Sequence, residues 1–415
     1  MTSLWRNREF TLLWTGQCLS ELGTSMASLA IPLLVLAVTG SPVQAGLAGT
    51  IAQVTRLVCR LPAGLLVDRV DRRRAMLACD LIRLAAFAGL GVAVLTGRAH
   101  LGVIVLVAVL DAAGGTLFGT AEHAALRSIV PAGQLPDAVA RNEARSYGVA
   151  LVGPPAGGLL FGLGAVWPFA GNAVSCLASL FSVGLIRRPL QQPREGAPGG
   201  LADGLAFVFG NPFLRAVLVI AAPLNFAVTG TIFTIIVVLQ RHGTAPAVIG
   251  LAETFIGAGG LLGALAAPLL RRRFPMAVLA RAICWAATGL FLVSALLTAS
   301  VAAAVPIALT LMLAPACNAA LFGYQAAITP DRLQGRVVSV IFLVANSASA
   351  VAPLLAGLLV TTWSAAGAIV LFAAAVAASA LAATFGRGLR TGDRPITPAS
   401  AGATPGRSAG PSRPR

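Results

Sequence analysis

The chain has 415 residues, 57% hydrophobic and 11% charged, and a mean hydropathy of +0.86, whereas a soluble domain carries about 25% charge. A soluble globular fold is excluded: a membrane helix takes about 20 apolar residues, so twelve use roughly 240 positions and leave roughly 175 for loops and tails. The 30 basic residues are all Arg against 14 acids, a formal net charge of +16, and they cluster between apolar runs, where Arg holds loops in the cytoplasm. No nucleic-acid partner is expected.

Trp5 to Glu9 lead into a long apolar run without a small-residue cleavage site, which reads as a retained first helix. Apolar runs bounded by charge, Pro and Gly predict spans near 11–37, 44–67, 75–97, 101–123, 142–164, 167–186, 213–239, 246–270, 275–297, 301–323, 337–360 and 365–386. With both termini cytoplasmic, one side holds Arg6, Arg8, Arg69, Arg72 to Arg74, Arg127, Arg141, Arg187, Arg188, Arg194, Arg271 to Arg273, Arg332, Arg336 and the Arg-bearing tail, and the other only Arg98 and Arg241. The six Cys residues all fall in apolar stretches without metal-ligand spacing, so no disulfide and no metal is expected.

Ionisable groups inside spans are costly and are functional candidates by default. At 1.5 Å per residue, Glu21 lies about ten residues into the first span, Arg56 about twelve into the second and Asp111 about ten into the fourth, all near the midplane. Two acids and one base suit proton coupling, with Arg56 keeping one carboxylate ionised while the other, partly desolvated, exchanges a proton; a static buried ion pair is the other reading. Arg60 shares the face of Arg56 but lies nearer the cytoplasmic end. Glu253 is the deep acid of the second half. Asp80, Arg83, Glu143 and Arg145 fall nearer the cytoplasmic edge, as gating pairs or solvated charges.

Gly64 at the end of the second span allows close helix approach, and Asp68 can pair with an Arg or accept from a facing helix N-terminus. The fifth span carries Gly153, Pro154, Gly157 and Gly158, small residues for close packing and a Pro that opens the backbone ladder so that the helix bends. Residues 187–212, rich in Arg, Pro, Gly and Gln, read as a cytoplasmic linker between an N-terminal bundle, 1–186, and a C-terminal bundle, 213–386. Residues 387–415 have almost no large apolar side chain and read as a disordered basic tail, able to touch anionic lipid headgroups.

A constant offset of 199 aligns Gly64 with Gly263, Arg72 to Arg74 with Arg271 to Arg273, Pro131 with Pro330, Pro154 with Pro353 and Gly158 with Gly357. Two six-helix halves repeated in the same sense are the construction of secondary transporters with a midplane site. His100, His123 and His242 show no metal or triad spacing, and no GxxxxGK[ST] loop occurs. Neither an enzyme nor a cofactor is expected; energy comes from an ion gradient, the substrate's own gradient or a partner.

The run from Gly64 through Asp68, Arg69, Arg72, Arg73 and Arg74 resembles the GxxxDRxGRR signature of the major facilitator superfamily, with Asp71 where Gly is commonest. Thr39 to Pro42, the DxxR of Asp80 and Arg83, Val130 with Pro131, and the GPxxGG core at Gly153 to Gly158 are similar to the exporter branch that includes macrolide-efflux and enterobactin-exporter proteins; Val149 stands where the fuller antiporter motif has Gly. The resemblance covers residues 4 to 385. It implies an all-α membrane fold of twelve helices in two pseudo-symmetric bundles and a cavity lined by the first, fourth, seventh and tenth spans, where Gln17, Asn225 and Asn318, with Gln53 beside them, either contact substrate or hydrogen-bond a neighbouring helix. It also implies a cytoplasmic latch at Asp68 supported by Arg69, Arg72 and Arg73. The function it implies is proton-coupled export of a hydrophobic or amphipathic small molecule, such as a drug, antibiotic or siderophore, by a monomer surrounded by lipid. An uptake symporter or facilitator, a lipid flippase, or a non-transporting sensor of the same fold are the alternatives.

Overall fold

The computed structural model describes residues 4–191, 201–330 and 333–385, with the side chains of Leu61, Asp68, Ala132 and Leu201 outside that set. The tail at 387–415, residues 192–200 of the linker, and Arg194 and Arg332 therefore lie outside the described residues. Among the described residues every regular element is helical: α1 Arg8–Thr39, α2 Pro42–Arg69, α3 Arg72–Leu95, α4 Leu101–Ile129, α5 Leu135–Leu163, α6 Trp167–Gly184, α7 Leu201–Gly210, α8 Pro212–Arg241, α9 Pro246–Arg273, α10 Met276–Leu296, α11 Ala304–Ile328, α12 Gln334–Ser347, α13 Ala352–Thr362 and α14 Ala365–Phe385.

Side-chain caps set several boundaries by satisfying the free N–H groups of a first turn. Asn7 caps α1 and Ser41 caps α2, Asp71 accepts from the Arg74 amide at 2.9 Å to start α3, and Asn211 caps α8. Gly40, with φ 66°, takes the left-handed conformation that ends α1. Among the described residues, ten spans are long and apolar enough to cross a membrane. The remaining two of the twelve predicted spans coincide with α2, which carries Arg56 and Arg60, and with the 18-residue α6. Large apolar side chains point outward, with Leu95, Leu265, Leu296 and Phe385 all more than 70% exposed, as expected of a surface that faces lipid.

Two differences from the sequence expectation stand out. The second part of the linker is a helix, α7, whose Val208 joins the apolar core of the second half and whose Asp203 pairs with Arg336 of α12 at 3.1 Å. The eleventh span is two helices: α12 and α13 flank a 3-10 segment at Ala348–Val351. Pro353, in the first turn of α13, cannot donate a backbone hydrogen bond, which accounts for the break. Its repeat mate Pro154 lies inside the uninterrupted α5.

The chain enters α1 and leaves α14 at the same end of the bundle, here termed the terminal end. The apolar interior is organised differently at the two ends. At the terminal end there are two separate cores, one built by α1 to α6 around Phe10, Met76, Phe118 and Leu126, the other by α7, α8, α10, α11, α12 and α14 around Phe213, Ile283 and Val337. At the opposite end one core spans both halves, from Leu29 and Phe87 to Phe291 and Phe372.

That shared core is closed by two helix crossings related by the internal repeat. A Cβ added at Gly46 of α2 would collide with the Pro353 carbonyl of α13, and one at Gly357 of α13 with the Pro42 carbonyl of α2. In the same way Gly250 of α9 meets the Pro154 carbonyl of α5, and Gly158 of α5 meets the Pro246 carbonyl of α9. Threonines add a hydrogen bond to each crossing: Thr50 accepts from the Leu354 amide at 3.1 Å and Thr254 donates to the Leu151 carbonyl at 3.0 Å. Pro42, Gly46 and Thr50 correspond to Pro246, Gly250 and Thr254 at an offset of 204, a second register beside the 199 of the later residues.

A side chain at these glycines must push two backbones apart. In a chain whose six cysteines are replaced by Ser, Gly46→Leu is expected to raise the labelling rate of a Thr50→Cys reporter by a water-soluble maleimide by about tenfold, reflecting roughly 1.4 kcal/mol toward the open crossing. Unchanged labelling would contradict the crossing as the closed gate.

Candidate functional site

Between the helices lies a branched cavity with three wings that meet at Arg56. The largest, about 470 Å³, is lined by Gln17, Glu21, Arg83, Asp111 and Glu122 as well as Arg56. A second, about 460 Å³, extends past Arg56 to Arg60, His123 and Asn346. The third, about 280 Å³, runs towards the opposite end past Thr24, Asp111, Phe233 and Glu253.

The charges that border the cavity are paired differently from the sequence expectation. Asp111 of α4 accepts from Arg83 Nε of α3 at 2.9 Å, and the same guanidinium donates to Ser20 of α1 at 3.2 Å and to Thr24. Asp80, wholly buried, lies 3.9 Å from Arg83. Glu21 of α1 accepts two bonds from Arg145 of α5, at 2.8 and 3.1 Å, and Glu122 of α4 accepts a third at 2.9 Å. Each Arg thus holds two carboxylates and ties α1 to α4. Arg56 makes no ion pair with Glu21 or Asp111; its Nε donates to Gln53 at 3.1 Å.

Arg83 and Arg145 were placed near the cytoplasmic edge because the predicted spans began at 75 and 142. The helices begin at Arg72 and Leu135, which puts Arg83 eleven and Arg145 ten residues deep, about 15 Å or more from the helix start. Both are buried, at 3% and 5% exposure, so neither is a solvated charge. Glu143, in contrast, is exposed and is not a partner of Arg145. The signal in the sequence was the capping Asp71, which marks the true start of α3.

Of the polar candidates, Gln17 is buried and lines the largest wing, with its Nε2 unpartnered. Asn225 donates to the Ala345 carbonyl of α12 at 3.2 Å, a bond between helices. Asn318 is exposed on α11 and is absent from the three wings.

In the loop signature, Arg72 is buried and donates to the carbonyls of Ala124 and Leu190 at 3.2 and 2.9 Å, and Arg73 donates to those of Val183 and Gly184. The loop is thereby docked on the ends of α4 and α6. Arg69 is exposed, and the side chain of Asp68 lies outside the described residues. Gly64 does not make the expected close approach: nothing lies within 4 Å of a Cβ added there, whereas Gly263 of α9 abuts the Met312 backbone of α11. Gly153 and Gly157 of α5 pack against Ser25 and Met26 of α1, and Gly158 serves the crossing to α9; Pro154 presents the carbonyl that Gly250 meets.

A family model described as transmembrane secretion effector matches residues 2–400. The chain is similar to the multidrug efflux pump Tap of Mycobacterium tuberculosis, 30% identical over 295 residues covering 66% of this chain and 68% of that protein. It is also similar to macrolide efflux protein A of Streptococcus pyogenes, 24% identical with 63% and 66% covered, and to the enterobactin exporter EntS of Citrobacter koseri, 26% identical with 62% of each covered. Among solved structures, a bacterial homologue of the human lysosomal transporter Spinster superposes with a TM-score of 0.75 at 16% identity, over 96% of this chain and 100% of that one. A bacterial homologue of the iron transporter ferroportin gives 0.68 at 16%, over 91% and 100%. The fold is that of the major facilitator transporters, and the protein is a multi-pass membrane transporter rather than an enzyme. The chain belongs to the transmembrane secretion effector family within that superfamily.

Removing one partner of a buried ion pair costs about 3–5 kcal/mol. Arg145→Met, which leaves Glu21 and Glu122 facing each other, is expected to lower the melting temperature in detergent. Adding Glu122→Gln to it restores most of the loss. Equal melting of all three proteins would refute the pairing.

Proposed function

We propose that the protein exports a hydrophobic or amphipathic small molecule in exchange for protons, by alternating access to the cavity. The observation that carries this reading is the charge balance of the two clusters: Arg83 with Asp80 and Asp111, Arg145 with Glu21 and Glu122, one carboxylate in excess in each. In a low-dielectric interior the surplus negative charge calls for a proton or a cation. Glu21, with its side chain 32% exposed, and Asp111 are the members that border the cavity. A proton bound at either releases its Arg from one partner and loosens the tie between α1 and α4, which links protonation to movement of helices around the cavity.

The Arg-rich terminal end faces the cytoplasm under this reading, so both termini are cytoplasmic and the shared core with its Pro–Gly crossings seals the outer side. The two separate cores at the terminal end then belong to a cytoplasm-open state, the one in which an exporter loads. Residues 1–186 and 213–386 rock as units about the cavity, joined by 187–212, with Asp68 as the cytoplasmic latch and Arg69, Arg72 and Arg73 as its support. The protein works as a monomer in lipid. Similarity to pumps named for multidrug and macrolide efflux and to an enterobactin exporter supports the outward direction and the amphipathic substrate.

Inside-out vesicles with an acidified lumen test this. Adding an amphipathic drug or siderophore is expected to release luminal protons in the wild type and not in Glu21→Gln or Asp111→Asn. Substrate movement with no pH change would sink the coupling, and accumulation that rises when Glu21 is lost would reverse the direction.

A further inference from the structure

The carboxylates and the arginines of the cavity are not equally committed. In the largest wing every carboxylate already holds an Arg: Glu21 and Glu122 bind Arg145, and Asp111 binds Arg83. Arg56 and Arg60 hold none, and the wing they share has no Asp or Glu in its lining. Both are exposed to it. They lie four residues apart on one face of α2, about 21 and 27 Å from its first residue, where like charges repel each other. Glu253 lines only the smaller wing on the far side of Arg56, and among the described residues it pairs with neither.

Two guanidiniums at membrane depth that make no ion pair among the described residues are costly unless something supplies a counter-ion, and Asp111, whose charge reaches Arg56, is already bonded to Arg83. Their surroundings orient them without neutralising them. Gln53 accepts from Arg56 Nε, which leaves the outer nitrogens of that guanidinium free of a carboxylate. Arg60 rests 5.1 Å over the ring of Phe342 of α12, which is itself stacked on Phe322 at 5.8 Å. The wing therefore offers a fork of N–H donors, with Arg60 held in place by the aromatic ring beneath it. The internal repeat adds an independent observation: α2, Pro42–Arg69, and α9, Pro246–Arg273, correspond at the offset of 204, which sets Arg56 and Arg60 against Gly260 and Ala264. One repeat has small residues at these positions, and the other places two cations at the cavity.

We propose that Arg56 and Arg60 form the anion-recognition subsite of the cavity, and that the transported molecule is a soluble amphiphile bearing a carboxylate, sulfonate or phosphate whose apolar part extends into the adjoining wings towards Phe118 and Phe233. This rests on the export reading for the word transported, but the binding preference is a property of the cavity alone. Guanidinium groups suit such anions because their N–H donors match two oxygens at once.

A charge-opposed pair of dyes on the same ring system tests it: fluorescein, anionic above neutral pH, and a cationic rhodamine ester. Binding is followed by fluorescence anisotropy with the full chain in nanodiscs of phosphatidylcholine. The wild type is expected to bind fluorescein about tenfold or more tightly than the rhodamine, the scale of one charge-assisted hydrogen bond. Arg56→Gln and Arg60→Gln each lose about that factor for fluorescein and none for the rhodamine, whereas Arg60→Lys, which keeps the charge, retains most of the binding. Equal or reversed preference in the wild type, or no fluorescein binding at millimolar concentration, overturns the proposal without any variant having to fold. Loss of fluorescein binding when phosphatidylglycerol replaces phosphatidylcholine assigns the subsite to a lipid headgroup and overturns the soluble substrate; unchanged binding supports it. Dye movement into inside-out vesicles is read separately: preferential binding without movement refutes export and leaves the subsite standing, and movement of the cation alone does the reverse.

Discussion

The architecture depends on backbone touching backbone at two places. Where α2 crosses α13 and α5 crosses α9, glycine on each helix faces a carbonyl of the other, next to a proline that frees or presents it. No side chain intervenes, so the halves meet at the shortest separation helices allow, as small residues permit in membranes. Everything towards the other end follows: helices pinned at one end diverge, the apolar core divides into two, and a cavity opens between them.

The charged groups are arranged to survive in that cavity. Arg83 and Arg145 come from α3 and α5, yet both reach α1 and α4, so the same two helices are bound twice over, at one level of α1 and at two levels of α4. This accounts for four acids inside an apolar bundle. The remaining cations are held by contacts that leave their charge exposed, an amide for Arg56 and an aromatic face for Arg60. The site is thus divided between charges satisfied by the protein and charges presented to the cavity.

Much of this was legible in the residues. Apolar runs located the ten membrane-length spans of the described residues and the helices α2 and α6, a constant offset revealed the repeat, and charge at depth singled out Glu21, Arg56 and Asp111, all of which reach the cavity. Their partners were not legible. An Arg side chain spans several ångströms, and whether it meets an acid depends on helix rotation and on where a helix begins; starting α3 and α5 a few residues late made Arg83 and Arg145 look superficial. The Pro–Gly–Thr pattern of the crossings sits at a different offset from the rest of the repeat, so a single alignment passes over it. Helix α7 was hidden because the Pro- and Gly-rich residues before it coloured the reading of the whole linker. Gly64 matched a motif by spacing, but the space beside it is set by the distance between α2 and α4, which no motif encodes.

The division of the apolar interior has a consequence for how the sequence can vary. Each half owns a complete core at the terminal end, so that end can open or close without repacking either of them. The core at the opposite end is common property and is lost in part whenever the crossings separate. Side chains there, such as Leu33, Val237 and Ile249, weigh on the lifetime of one state against another while leaving each half folded. Ordinary changes of size among them, invisible to any search for polar site residues, are therefore a means of setting the pace of the cycle.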